Sequence, residues 1–312
     1  MSLITYDLMG KKHDKVQVAI DRLRAFEPED GYYLAFSGGK DSQCIYHLAE
    51  MAGVKFDAHY RITSVDPPEL VRFIKTQYPA VHMDYPRDKD GKVITMWNLI
   101  PRKLMPPTRS MRYCCSELKE TGGKGRVTVT GVRWDESVNR KKNQGTVVIQ
   151  NAKAAKFASE NEASFSRGKN GSVILNMDNA AERRTVEQCF RTHKTLVNPI
   201  IDWLEEDVWE FLNGVAKVPH CTLYDQGYAR LGCIGCPMAG NKERELELYP
   251  KHKEAYLRAF VRMIEKRQQL GKDGTFGGSA QRVMDWWLEK VQYSEKPIEG
   301  QIGLEGINDD HI

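Results

Sequence analysis

A chain of 312 residues, 41% of them hydrophobic, can bury one large core and carry a smaller appended module. Its 46 basic residues against 42 acidic ones leave a net charge of +4 with no polybasic tract, which suits an anionic ligand and does not by itself establish nucleic-acid binding. No apolar run nears the roughly 20 residues of a spanning helix, and Met1 to Asp14 lacks a signal-peptide pattern, so a cytoplasmic protein with no membrane partner is expected.

In chain order, Asp14 to Phe26 carries a helical apolar stripe ended by Pro28, which sets off residues 1–29 as an N-terminal helical segment. Tyr32 to Phe36 reads as an apolar strand that runs into Ser37-Gly38-Gly39-Lys40-Asp41-Ser42 and then a helix stopped at Gly53. Two glycines let the backbone approach closely, so N–H groups at a helix N-terminus can converge on an anion while Lys40 adds a point charge. The spacing is neither a Walker P-loop nor the dinucleotide fingerprint. Val54 to Ile62 reads as a second strand, Glu69 to Gln77 as a helix opened by Pro67-Pro68, and Arg126 to Gly131 as a further strand. Alternating strands and helices predict an α/β fold, a doubly wound parallel sheet with the loop at a strand's carboxyl end.

Between 140 and 195 the pattern weakens. Thr146 to Ile149 and Val173 to Leu175 suggest a hairpin insertion that departs from the sheet. Helices are then expected at Glu205 to Leu212, Tyr249 to Gln269 and Ala280 to Val291, with a loose tail from Ser294. The division expected is 1–29, a nucleotide and cysteine domain at 30–240, and a helical region at 241–312.

In a reducing compartment, grouping matters more than the total of seven cysteines. Cys114-Cys115 and Cys233-x-x-Cys236 supply soft donors for either a 4Fe-4S cluster or a zinc ion. Adjacent cysteines share one small ion only by straining the peptide between them, which favours the cluster. Cys44 and Cys189 read as packing residues. Cys221, in a polar loop before the second pair, is either a packed loop cysteine or a sulfur carrier and nucleophile.

Five segments occur together in this order: Ser37 to Ser42, Cys114-Cys115, Gly131-Val132-Arg133 continuing through Glu136-Ser137 to Arg140, Asn198-Pro199-x-x-Asp202-Trp203 continuing to Asp207-Val208-Trp209, and Tyr228-x-x-x-Gly232-Cys233-x-x-Cys236. Over about residues 30 to 240 the chain thereby resembles the phosphoadenylylsulfate (PAPS) reductase family within the ATP pyrophosphatases. The resemblance implies an adenine nucleotide α-hydrolase-like fold, a bound adenine nucleotide such as ATP with Mg²⁺, and a 4Fe-4S cluster on Cys114, Cys115, Cys233 and Cys236. Lys119, Arg133 and Arg140 stand where guanidinium and ammonium groups would grip phosphate or sulfate oxygens. Trp203 and Trp209 read as packing residues.

Three departures shape the expected function. No cysteine follows Cys236, whereas sulfonucleotide reductases carry a catalytic cysteine on a tail. The pyrophosphate loop is of the intact type that splits ATP. Ile62-Thr63-Ser64 replaces the Asp-Thr-Gly of the reductases. The pattern is most like DNA phosphorothioation sulfurtransferases, which implies a transferase that adenylates an acceptor for sulfur transfer, with Ser37, Gly38, Gly39, Lys40, Asp41 and Ser42 on the polyphosphate, Lys40 and Asp41 catalytic, and Cys221 a further candidate. Implied partners are a sulfur donor protein such as a cysteine desulfurase, or a thioredoxin-like reductant, and DNA or another nucleic acid as acceptor. The alternatives are an oxidoreductase acting on adenylylsulfate or its 3′-phosphorylated form, and a non-catalytic nucleotide- and cluster-binding subunit.

Overall fold

The computed structural model describes residues 3–6, 9–10, 12–150, 165–168, 172–175, 194–272, 276 and 278–290. Cys189 and the tail from Ser294 lie outside them. Near the amino end, β1 (Ile4–Tyr6) and β2 (Lys12–Asp14) form a two-stranded antiparallel ribbon that leads into α1 (Lys15–Ala25). The Asp14 carboxylate caps this helix, accepting from the Val16 and Gln17 amides at 3.1 and 3.2 Å. Ala19, Ile20 and Leu23 bury its apolar stripe.

The main sheet has the order β5-β4-β3-β6-β10-β7-β9-β8. Its parallel half comprises β3 (Tyr32–Ala35), β4 (Phe56–Arg61), β5 (His82–Asp84), β6 (Thr128–Val129) and β10 (Lys194–Val197). Helix α2 (Lys40–Ala52) crosses from β3 to β4 and ends at Gly53, whose φ of 69° provides the left-handed cap. Helix α3 (Pro68–Gln77) starts on a proline, where the missing N–H costs no intrahelical bond. From β3 the chain proceeds outward to β4 and β5, and later returns to β6 on the other flank. The crevice above β3 and β6 is therefore a topological switch point, where open α/β sheets bind ligands.

The expectation that 140–195 leaves the sheet is corrected. Its described strands β7 (Val147–Gln150), β8 (Phe165–Arg167) and β9 (Ser172–Leu175) continue the same sheet, β7 pairing antiparallel with both β10 and β9. Val147, Val148 and Ile149 are all buried, the pattern of a strand covered on both faces and not of a solvent-facing hairpin. Two helices went unanticipated. One is α4 (Met96–Lys103), with Pro101 inside it, and the other is α5 (Tyr113–Leu118), which carries Cys114 and Cys115. Helix α6 (Val138–Asn143), capped by the Ser137 hydroxyl, precedes β7, and α7 (Glu205–Glu210) follows β10.

By contact density the chain divides into two units, the first comprising Met1–Met96 and Tyr113–Ile234, the second Trp97–Arg112 and Gly235–Ile312. The second unit thus includes Trp97–Arg112, which the sequence division had assigned elsewhere. Within it are α8 (Lys242–Leu248), α9 (Pro250–Gln269) and α10 (Ala280–Trp287). Tyr256 and Phe260 of α9 pack on Trp287, with ring centroids 4.7 and 5.8 Å away, and the Trp287 indole donates to the Pro107 carbonyl at 2.7 Å. Among the described residues no helix is long and apolar enough to cross a membrane.

Candidate functional site

The loop after β3 is built as a nest. Gly38 has a φ of +73°, and a Cβ there would lie 2.7 Å from Ile74 Cδ1 and Leu70 Cδ1, so both backbone conformation and space require glycine. The Ser42 hydroxyl donates to the Gly39 carbonyl at 2.8 Å and the Ser37 hydroxyl to Ser42 Oγ at 3.1 Å, which locks the turn into the first turn of α2. The nest holds a group of its own: the Lys40 amide donates to the Tyr224 hydroxyl at 2.9 Å. Lys40 is buried and its ammonium donates to the Ala229 carbonyl at 2.9 Å, pairs with Glu205 at 3.2 Å and lies 5.5 Å from the Tyr224 ring centroid. Burial pushes the Tyr224 hydroxyl up, while the Lys40 amide opposes this.

Asp41 pairs with Arg133, whose Nε donates to it at 2.7 Å. Arg133 is 3% exposed, and a second arm reaches Asp135 at 3.2 Å. Gly131, on the approach to Arg133, lies so near that a Cβ would come within 2.8 Å of the Asp41 carbonyl. Arg140 pairs with Glu136 at 2.8 Å, and Arg230 reaches the same carboxylate at 3.1 Å. Burial lowers the Arg140 pKa, a fall that the Glu136 carboxylate opposes and the Arg230 charge reinforces. The structure therefore gathers Ser37 to Ser42, Arg133 and Arg140 at one end of the sheet.

The motif from Asn198 to Asp207 is a brace. Arg22 of α1 forks onto Asp202 at 2.8 and 3.0 Å, and Lys15 reaches the fully buried Asp207 at 2.6 Å. Asp207 also accepts from the Leu204 amide at 2.7 Å, which caps α7. Trp203 is buried, as expected for packing, while Trp209 meets Tyr224 edge-on at 5.0 Å.

A cavity of about 470 Å³ adjoins the loop, with Ser37, Leu70, Gly232 and Lys119 in its wall. Lys119 is the point of contact with the cysteines: the charge of Cys233, together with a hydrogen bond to it, raises the lysine's pKa, and Cys115 adds to this. Burial pushes the Cys233 thiol up and Lys119 opposes it; Thr63 Oγ1 lies 3.5 Å from the sulfur. Cys114 is buried and Cys115 half-buried on α5, while Cys236 belongs to the second unit. Among the described residues, no three His, Cys, Asp or Glu are gathered so as to hold a metal ion. Soft thiol donors beside a lysine suit an anionic metal–sulfur group, with Cys114, Cys115 and Cys233 in the first unit and Cys236 in the second.

Cys221 is 1% exposed in the core, and burial pushes its thiol up, an environment that disfavours the thiolate a nucleophile needs. Cys44 is likewise buried, its thiol facing the Val208 carbonyl at 3.7 Å. Sequence reasoning missed Tyr224 and Glu205, which contact Lys40. Tyr224 lies in the same Pro219 to Asp225 loop that drew attention to Cys221, so an aromatic hydroxyl close before the Gly232-Cys233 turn was the available signal.

The family model described as the phosphoadenosine phosphosulfate reductase domain matches residues 31–239. An uncharacterized protein of Methanocaldococcus jannaschii is 27% identical over 226 residues, covering 70% of this chain and 44% of that protein. An adenosine 5′-phosphosulfate reductase of Allochromatium vinosum is 42% identical over 43 residues, or 14% of this chain and 16% of its own. The chain thus spans less than half the length of either relative. A solved phosphoadenylyl-sulfate reductase of Candida auris, in a phosphate complex, superposes with a TM-score of 0.42 at 14% identity over 69% of this chain and 87% of that one.

Proposed function

Since this chain belongs to the phosphoadenosine phosphosulfate reductase domain family, we propose that it is an ATP pyrophosphatase-type enzyme that adenylates an acceptor for sulfur transfer. The observation that carries this reading is the intact Ser37 to Ser42 nest on the amino end of α2, with a buried Lys40, at the sheet's switch point. ATP would place its β- and γ-phosphates on the loop amides in place of the Tyr224 hydroxyl. Lys40 would turn from Ala229 and Glu205 to those oxygens. Arg133 and Arg140 would stabilise charge developing at the α-phosphate.

In the proposed reaction an acceptor oxygen forms a bond to the α-phosphorus, the bond from that phosphorus to the bridging oxygen breaks, and pyrophosphate leaves with the electron pair. A sulfur nucleophile then displaces AMP from the activated acceptor. Mg²⁺, held through the polyphosphate with Asp41 and the Ser37 and Ser42 hydroxyls at hand, would supply charge neutralisation. Cys114, Cys115, Cys233 and Cys236 are proposed as the ligands of a 4Fe-4S cluster, with zinc as the alternative, and Lys119 as the cation beside it. The sulfur donor and a nucleic-acid acceptor remain part of this proposal through the family likeness alone.

Incorporation of labelled pyrophosphate into ATP tests the reading. The wild-type protein should catalyse exchange in the presence of acceptor, and Lys40→Ala should lower it by about 10²- to 10³-fold. Absence of both ATP binding and exchange from protein purified without oxygen would defeat it. The local likeness to an adenosine 5′-phosphosulfate reductase favours a second reading, sulfonucleotide reduction with a thioredoxin-like thiol. Release of sulfite from adenylylsulfate, with no exchange, would select it.

A further inference from the structure

The parallel half of the sheet should be apolar on both faces, since helices normally cover both. One face of β4 is not: Asp57, His59 and Arg61 alternate with the buried Ala58 and Tyr60. Strand register places Tyr33 of β3 and Thr128 of β6 in the same row as Asp57. Of these, Tyr33, His59, Arg61 and Thr128 floor the cavity that runs along β3 from Ser37 to Tyr33, roughly 13 Å over four residues.

Polar groups on this floor divide into spent and unspent. Arg126 forks onto Asp57 with its two terminal nitrogens, one contact at 2.7 Å and the other at 2.5 Å, and holds that carboxyl down at about 2. His59 stands between Asp57 and Asp84, 2.8 Å from the latter, and stacks on Tyr33 with ring centroids 4.3 Å apart. The carboxylates are thus committed. In contrast, Tyr33 Oη, Thr128 Oγ1 and Arg61 Nε are buried with no hydrogen-bond partner, in residues of which Tyr33 and Thr128 are only 7% and 4% exposed. Buried polar atoms are almost always satisfied, so three orphans on one cavity wall call for a partner from outside the chain.

Two neighbouring glycines make room for the hydroxyls themselves. A Cβ on Gly122 would lie 2.4 Å from Tyr33 Oη, and one on Gly123 would lie 2.6 Å from Thr128 Oγ1. Gly123 has a φ of +67° and needs glycine for its backbone, but Gly122 has no positive φ, so its missing side chain is the place that the Tyr33 hydroxyl takes.

We propose that this floor binds the oxyanion end of a small organic acid, which serves as the second substrate below the nucleotide. The class follows from the leftover chemistry. Arg61 Nε can only donate, both hydroxyls can donate, and the Asp57, Asp84 and Asp66 carboxylates are engaged by Arg126, His59 and Thr63, so the complementary group is rich in acceptor oxygens and negative. The assignment of the acid as second substrate rests on the adenylation reading; binding of the oxyanion does not.

The test titrates the full chain, with and without α,β-methylene-ATP, against acetate, methanesulfonate and inorganic phosphate, reading thermal shift and calorimetric affinity. At least one probe should bind, and the planar and tetrahedral probes separate a carboxylate from a sulfonate or phosphate ester. Tyr33→Phe and Thr128→Val should each weaken that probe about five- to tenfold while leaving the ligand-free melting temperature equal or higher, since each removes an unsatisfied group. Failure of all three probes on the wild-type protein overturns the proposal, as does unchanged probe affinity in both variants or a lower ligand-free melting temperature in both, which would assign the hydroxyls to structure. Lys40→Ala should abolish nucleotide binding yet keep the probe, so failure of the nucleotide reading and failure of this site give different results.

Discussion

The glycine nest and the cavity floor meet along β3 and handle their polar groups in opposite ways. At the nest, the Lys40 amide is met by Tyr224, the Lys40 ammonium by Ala229 and Glu205, and Asp41 by Arg133. At the floor, Tyr33, Thr128 and Arg61 each keep a buried atom without a partner. A self-satisfied site is stable when empty but must break its own bonds to accept a ligand. An unsatisfied one carries its cost in the free protein and breaks nothing on binding. The same substitution, loss of a tyrosine hydroxyl, should therefore act with opposite sign at the two places.

The largest effect that bears on this contrast is at Arg133. Arg133→Gln removes the buried partner of Asp41 and should destabilise the fold by about 2–3 kcal/mol, below the range for a fully buried pair because Asp41 keeps 28% exposure. Chemical denaturation checks it, and a loss below half a kcal/mol would mean that the nest does not depend on the pair. Next, Gly38→Ala forces a side chain into a left-handed conformation against Leu70 and Ile74, for an expected cost of about 1–2 kcal/mol. Its melting temperature should fall and its ATP affinity with it.

Tyr224→Phe is the smaller and sharper test. By removing the hydroxyl that fills the nest it should tighten nucleotide binding by about two- to fivefold in calorimetry, opposite to the loss of probe affinity expected for Tyr33→Phe. Weaker nucleotide binding in this variant would show the hydroxyl to be a ligand contact and not a competitor. The smallest effect concerns pH. Arg126 depresses the Asp57 carboxyl to about 2, so the stabilisation is present above the ordinary carboxylate value near 4 and is lost as pH falls from about 4 to 2. Asp57 is 34% exposed, so the amount is at most about 1 kcal/mol. Asp57→Asn should remove that acid sensitivity from the unfolding midpoint.

Much of the first unit was legible because its signals are local. The strand, glycine loop and helix from Tyr32 to Ala52 follow from an apolar run, two glycines and a 3.6-residue period, and α3 from its proline start. What escaped depends on partners distant in sequence. Strand β7 takes its place from pairing with β10, more than forty residues on, so local polarity alone suggested an excursion. Helix α4 contains a proline and α5 has six residues, too few for a period to show. Cys221 drew attention by its loop, yet only the fold reveals its burial, and the role of Tyr224 exists only once its loop closes over Lys40. The alternation of Asp57, His59 and Arg61 stands in the sequence, but reading Val54 to Ile62 simply as a strand passed over it, and only the cavity beside β4 gives it meaning.

The family match begins at residue 31, after α1 has ended. Yet Lys15 and Arg22 of that helix hold Asp207 and Asp202, the two acids that brace the segment presenting Glu205 to Lys40. A shortened protein cut at the family boundary would leave Asp207 interred without the Lys15 cation, and measurements on such a fragment would report on a slackened lysine rather than on the intact protein.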